Sequence, residues 1–109
     1  MQRFAFTIGL RKEALTEYHR IHVKIWPEIE AAIREAGITN YSIYHREGQL
    51  FGYYEYTGPP AEYAERMQRL ANAPRMREWW DITEPMQIPH PDRPNGQWWT
   101  PMDEMFHQD

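Results

Sequence analysis

The stretch ITNYSIYHREGQLFGYYEYTG, residues 38–58, reads as a β-hairpin. Two runs rich in Ile, Tyr and Phe flank Glu47-Gly48, a pair suited to a tight turn. Tyr41, Ile43 and His45 fall on one side of the first strand and Tyr44 on the other. The second strand carries Phe51, Tyr53, Tyr54 and Tyr56, so both faces are aromatic. What lies outside the hairpin fixes how it is used. Upstream, RFAFTIGL alternates with Phe4, Phe6, Ile8 and Leu10 on one face, which predicts a half-buried strand. Between them, Ala14, Tyr18, Ile21, His22 and Ile25 recur at helical spacing from about Lys12.

Trp26-Pro27 interrupts that helix, because a residue before proline is pushed out of the α region. Pro27 then opens a second segment, PEIEAAIREAG, with Ile29, Ala32, Ile33 and Ala36 as its apolar stripe and Gly37 at its end. Downstream of the hairpin the plan repeats. Pro59-Pro60 breaks the chain, a helix follows with Tyr63, Met67 and Leu70 as its stripe, and Pro74 opens PRMREWWDI. Residues 84–101 hold five of the nine prolines, yet they end near Trp98-Trp99. A flexible linker would not expose two tryptophans, so an ordered excursion is expected there, with a last strand over 102–108. The order β-α-β-β-α-β predicts a single α+β domain over residues 1–109 of the ferredoxin-like, split βαβ kind. Helices would cover one sheet face only. The other, with several Tyr and Phe, is too aromatic to leave wet, which predicts a homodimer packed sheet to sheet.

Composition narrows the function classes. The 109 residues carry a net charge of −4 with no basic run, which argues against nucleic-acid binding. There is no cysteine, hence no disulfide framework, thiol nucleophile or cysteine metal site. The start of the chain lacks the pattern of a secretory leader, and no 18-residue apolar run offers a membrane span, so a cytoplasmic protein is expected. Five Trp, seven Tyr and four Phe are heavy for this length. Such residues bury large areas while keeping polar handles, in cores, interfaces and sugar- or base-binding clefts.

The candidate chemistry sits in EYHRIHVKIWPEI, residues 17–29. Tyr18 and His22 are four apart and share a helix face with Ala14 and Ile25, so they look inward. A core tyrosine beside a satisfied histidine accounts for them as well as a site does. His19 lies off that face and reads as solvated; with no third ligand and no HExxH spacing, no metal site is expected. Trp79 and Trp80 stand about 100° apart around their helix, so at most one can line a given surface. Met76 points to burial of at least one. Tyr41 starts a strand that could face the same interior. These residues suit a carbohydrate pocket, in which rings stack on sugar C–H faces, and they suit a packed dimer interior equally.

The motif YxxxHxxxWPE at Tyr18, His22, Trp26, Pro27 and Glu28 resembles the first-helix signature of the L-rhamnose mutarotases. The resemblance runs on through NYSIY (Asn40–Tyr44), LFGYYEY, REWW (Arg77–Trp80) and the terminal DEMFH. It implies a dimeric α/β-barrel built on the ferredoxin-like fold and an enzyme that interconverts the α and β anomers of a deoxysugar with no metal or cofactor. By position, His22 matches the family's proton donor, and Tyr18, Tyr41, Trp79 and Trp80 its sugar-contacting residues. The run DITEPMQ and the excursion with Trp98-Trp99 depart from the pattern near the expected pocket mouth, which leaves L-rhamnose and other 6-deoxysugars such as L-fucose open. Two rivals stand beside this reading: a monooxygenase-like barrel enzyme, and a sugar-binding or interaction domain without catalysis.

Overall fold

The computed structural model describes all 109 residues. Its elements run β1 (Gln2–Leu10), α1 (Leu15–Val23), α2 (Pro27–Glu35), β2 (Ile38–Arg46), β3 (Gln49–Tyr56), α3 (Tyr63–Asn72), α4 (Pro74–Thr83), β4 (Gln87–Ile88) and β5 (Thr100–Met102), with single 3-10 turns before α1, α3 and β4. The chain is α+β, and its sheet is antiparallel with strand order β2-β3-β1-β4. β4 and β5 share the outer edge of β1: Gly9 and Leu10 pair with β4, and Ala5 to Thr7 pair with β5.

The hairpin forms as its sequence dictates. Glu47 and Gly48 both adopt positive φ, 46° and 79°, and Arg46 pairs with Gln49 across a two-residue loop. Such a turn matches the right-handed twist of the strands it joins. Proline divides both helical regions. Trp26 (φ −59°, ψ 134°) and Ala73 (φ −66°, ψ 128°) are extended before Pro27 and Pro74, and each proline, which has no N–H to leave unpaired, then starts a helix.

Alternation along the strands separates two faces. Phe4, Phe6, Ile8, Leu50, Gly52, Tyr54 and Tyr56 point toward the helices, and Ile8, Leu50 and Tyr56 are almost fully buried there. Three apolar clusters fill this side of the sheet, two between strands and helices and one among the helices alone. The first joins Ile8, Leu10 and Leu50 to Tyr18; the second joins Ile29 of α2 to Met76 and Trp79 of α4; the third joins Ala36 and Ile38 to Tyr54. Burying each such aliphatic or aromatic side chain contributes roughly 1.5–3 kcal/mol. The opposite face carries Arg3, Ala5, Thr7, Phe51, Tyr53, Glu55 and Tyr44; Tyr44 is 65% and Phe51 37% exposed.

Two elements differ from the sequence expectation. The short strand β4 lies inside the proline-rich segment, where no run of alternating residues announces it. The last strand is Thr100–Met102 rather than 102–108, and residues 103–109 form no strand. Side chains explain the shift. Trp99 packs on the first cluster, against the bare surface of Gly52, and this sets the register of β5 at residue 100. Arg3 then holds Glu104 through its guanidinium at 2.8 Å, just beyond the strand.

Candidate active site

α1 turns Tyr18 and His22 inward because they are one turn apart. Their rings stack with centroids 4.3 Å apart. The His22 Nδ1–H donates to the Tyr18 carbonyl at 2.6 Å. A carbonyl can only accept, so this bond places the hydrogen on Nδ1 and leaves Nε2 as the nitrogen free to exchange a proton. His22 is half-buried, and burial pulls its pKa below the ordinary histidine value; the Tyr18 carbonyl opposes that shift, and His19 adds to it. The neutral form therefore predominates near pH 7.

Trp79 stands edge-on to His22 at 5.3 Å and to Trp26 at 5.1 Å, and Arg75 lies over the Trp26 ring at 4.1 Å. Tyr18, His22, Trp79 and Trp26 thus form one column, capped by a cation. Trp79 is buried and Trp80 is half-buried against the same apolar cluster. Of the pair, Trp79 is the one whose ring meets His22.

Tyr41 reaches the region by a backbone irregularity. β2 shifts register between Thr39 and Ser42, and Asn40 takes φ 49°, with its side chain on Glu55 at 2.6 Å. A bulge of this kind re-aims a side chain, and here it sets Tyr41 beside Tyr54 at 5.3 Å. Although 43% of Tyr41 remains exposed, crowding around its hydroxyl pushes the phenol up to about 12, and Tyr18 adds to the rise. Burial also raises the Tyr18 phenol, a rise opposed by a bond from Gln87. Both phenols stay protonated at neutral pH. Of these three groups only His22 both gives and takes a proton in that range.

Sequence reasoning did not find Gln87 or Trp98 as partners of this cluster. The buried Gln87 amide donates from Nε2 to the Tyr18 hydroxyl at 3.1 Å and accepts at Oε1 from the Trp98 indole at 2.8 Å. The tryptophan pair in the excursion was the one available signal. His19 is exposed, as its position on α1 implied. No three His, Asp or Glu side chains gather as metal ligands. Two surface concavities lie elsewhere, one of about 410 Å³ within loop 91–98 and one of about 310 Å³ between Leu10, Leu15, His45 and Gly48. Neither is lined by the aromatic column.

The family model for L-rhamnose mutarotase matches residues 3–108. The chain is 34% identical to an L-rhamnose mutarotase of Lactiplantibacillus plantarum over 111 residues that cover both proteins fully. It is 36% identical to one of Flavobacterium johnsoniae, covering 98% of this chain and 95% of the relative. Among solved structures, an L-rhamnose mutarotase from Formosa agariphila superposes with a TM-score of 0.78 at 27% identity, covering both chains fully. Tetracenomycin F2 cyclase from Streptomyces glaucescens, a type-II polyketide cyclase, reaches 0.74 at 9% identity, a likeness of fold alone. The chain belongs to the L-rhamnose mutarotase family.

Proposed function

We propose that the protein is a sugar mutarotase that interconverts the α and β anomers of L-rhamnose or a related 6-deoxysugar. The observation that carries this reading is the family match, which takes in 106 residues from 3 to 108 and therefore every residue of the aromatic column. Opening the hemiacetal requires a proton at the ring oxygen and the loss of one from the anomeric hydroxyl. The aldehyde then rotates and closes on its other face. His22, in its imidazolium form, gives the proton from Nε2 to the ring oxygen and recovers it on closure, while the anomeric hydroxyl passes its proton to solvent water and the carbonyl oxygen takes one back as the ring closes. Tyr18 and Tyr41, kept protonated by burial, donate hydrogen bonds to sugar oxygens. Trp79 offers a ring to the sugar, and Trp80 stands behind it. The reaction proceeds slowly in water by itself, so one positioned acid/base group, worth roughly 10²–10⁴-fold, suffices.

The same reading takes the fold as a ferredoxin-like module that pairs sheet to sheet into a dimeric barrel in the cytoplasm and works without metal or cofactor. No helix is long and apolar enough to cross a membrane. The test is anomer exchange by NMR: one anomeric proton is saturated and transfer to the other followed, for L-rhamnose, L-fucose and D-glucose. Enzyme-dependent transfer for a 6-deoxysugar is the expected result. Sugar binding with no transfer would select the non-catalytic reading.

A further inference from the structure

We propose that Gln87 and Trp98 are positioning residues that fix the direction of the Tyr18 hydroxyl, making it an obligate hydrogen-bond donor toward the substrate. An indole N–H can only donate, so Trp98 Nε1, at 2.8 Å, holds the Gln87 amide with its oxygen outward. The amide nitrogen therefore faces Tyr18 and donates to its hydroxyl oxygen at 3.1 Å. An –NH₂ group cannot accept, so the Tyr18 O–H must send its own hydrogen elsewhere. The Tyr18 ring lies flat against His22, and its hydrogen is thereby available to a sugar oxygen placed beside the imidazole.

Burial makes this arrangement consequential. Tyr18 and Gln87 are each 5% exposed, so no bulk water reshuffles the donors and acceptors. Sequence distance makes it a device of the excursion. Gln87 comes from the two-residue strand β4 and Trp98 from the far end of the proline-rich segment, 80 residues from Tyr18. The segment that departs from the family pattern thus governs the polarity of a residue on the first helix. The inference deepens the sugar reading of this site and, for its effect on substrate, rests on it.

The orientation itself can be tested without any sugar. With 3-fluorotyrosine in place of Tyr18, a more acidic phenol titrates while the protein stays folded, and ¹⁹F NMR follows it. A donor to the hydroxyl oxygen stabilises the phenolate, so Gln87→Met must raise the pH of ionisation. Were the amide the other way round, accepting from the phenol, the same change would lower it. A fall, or no change, overturns the proposal. Should Gln87→Met fail to fold, Trp98→Phe reads the same quantity, because freeing the amide to flip weakens donation and also raises the titration. On substrate, Gln87→Met is expected to raise KM about tenfold, the loss of one well-placed hydrogen bond, and to add nothing in a Tyr18→Phe background. A raised titration with unchanged KM would overturn the claim that the sugar uses this donor. An unmodified protein that exchanges no anomers would instead count against the mutarotase reading, with the titration still deciding the orientation.

Discussion

His22 is under two opposing demands, and their balance sets its chemistry. Burial lowers its proton affinity, while the Tyr18 carbonyl raises it by accepting from Nδ1. The net shift is downward, so the rate should depend on pH with an inflection below about 6.5, the unperturbed histidine value. With the imidazolium as donor, the rate should fall as pH rises through that inflection, and a fall that survives in His22→Ala would assign it to another group. His22→Ala itself should lose roughly 10²–10⁴-fold of the acceleration. The same shift bears on stability. A histidine whose folded pKa is lowered binds fewer protons folded than unfolded, so its contribution to stability is present above about 6.5 and is lost as pH falls below it. Thermal unfolding followed from pH 7.5 to pH 5 should show this loss in the parent and a flatter curve in His22→Ala. Tyr18→Phe removes the acceptor for Gln87 and one buried hydroxyl, but keeps the ring against His22. It should raise KM more than it lowers the melting temperature; the reverse pattern would make Tyr18 a core residue only.

Among the elements, β4 is the one on which the site depends most and which the sequence announces least. It has two residues, pairs only with Gly9 and Leu10, and delivers Gln87 to Tyr18. Its approach is close enough that a Cβ on Gly9 would stand 2.8 Å from the Ile88 carbonyl oxygen. Backbone cannot yield as a flexible side chain does, so Gly9→Ala should push β4 off the sheet edge. We expect a stability loss of about 1–3 kcal/mol, the range of overpacked interiors, together with a weakened Gln87–Tyr18 contact seen as a shifted Tyr18 titration. Loss of stability with the titration unmoved would show that β4 holds Gln87 by other means. The contrast with the rest of the chain is physical. The hairpin and the proline-started helices were legible because turn chemistry and helical spacing are local, and a few neighbouring residues contain the whole signal. So was the Tyr18–His22 pair, whose juxtaposition follows from one turn of helix. β4 and β5 are defined by what they pack on: Leu10 and Gly9 for one, the surface at Gly52 for the other. No local pattern encodes such partners, and Gln87 and Trp98 could not be placed without them. Tyr41 lies between these cases, for its strand was legible but the bulge at Asn40 that turns it inward was not.

For the whole molecule, the unequal faces of the sheet raise the question of assembly. The helix side is closed by three apolar clusters. The other side presents Tyr44 and Phe51 as an exposed aromatic pair, 6.4 Å between centroids, with Tyr53 beside them and Arg3 and Glu55 toward one end. Aromatic groups on a sheet that bears no helix are costly to leave in water, and a second copy would cover them symmetrically. If the dimer forms on this face, Phe51→Lys places a charge in the buried centre of the interface, where it has no partner. The position faces away from the helices, so the three clusters should survive the change. Sedimentation velocity should then show the parent as a dimer and Phe51→Lys shifted toward monomer, with far-ultraviolet circular dichroism unchanged. Anomer exchange adds a second reading. The aromatic column of Tyr18, His22, Trp79 and Trp26 is drawn from a single chain on the opposite side of the sheet. A folded monomer should therefore retain its exchange activity, and a monomer that loses it would mean that the partner completes the pocket. A parent protein that sediments as a monomer would remove the dimeric barrel from the proposal and leave the open face without an occupant.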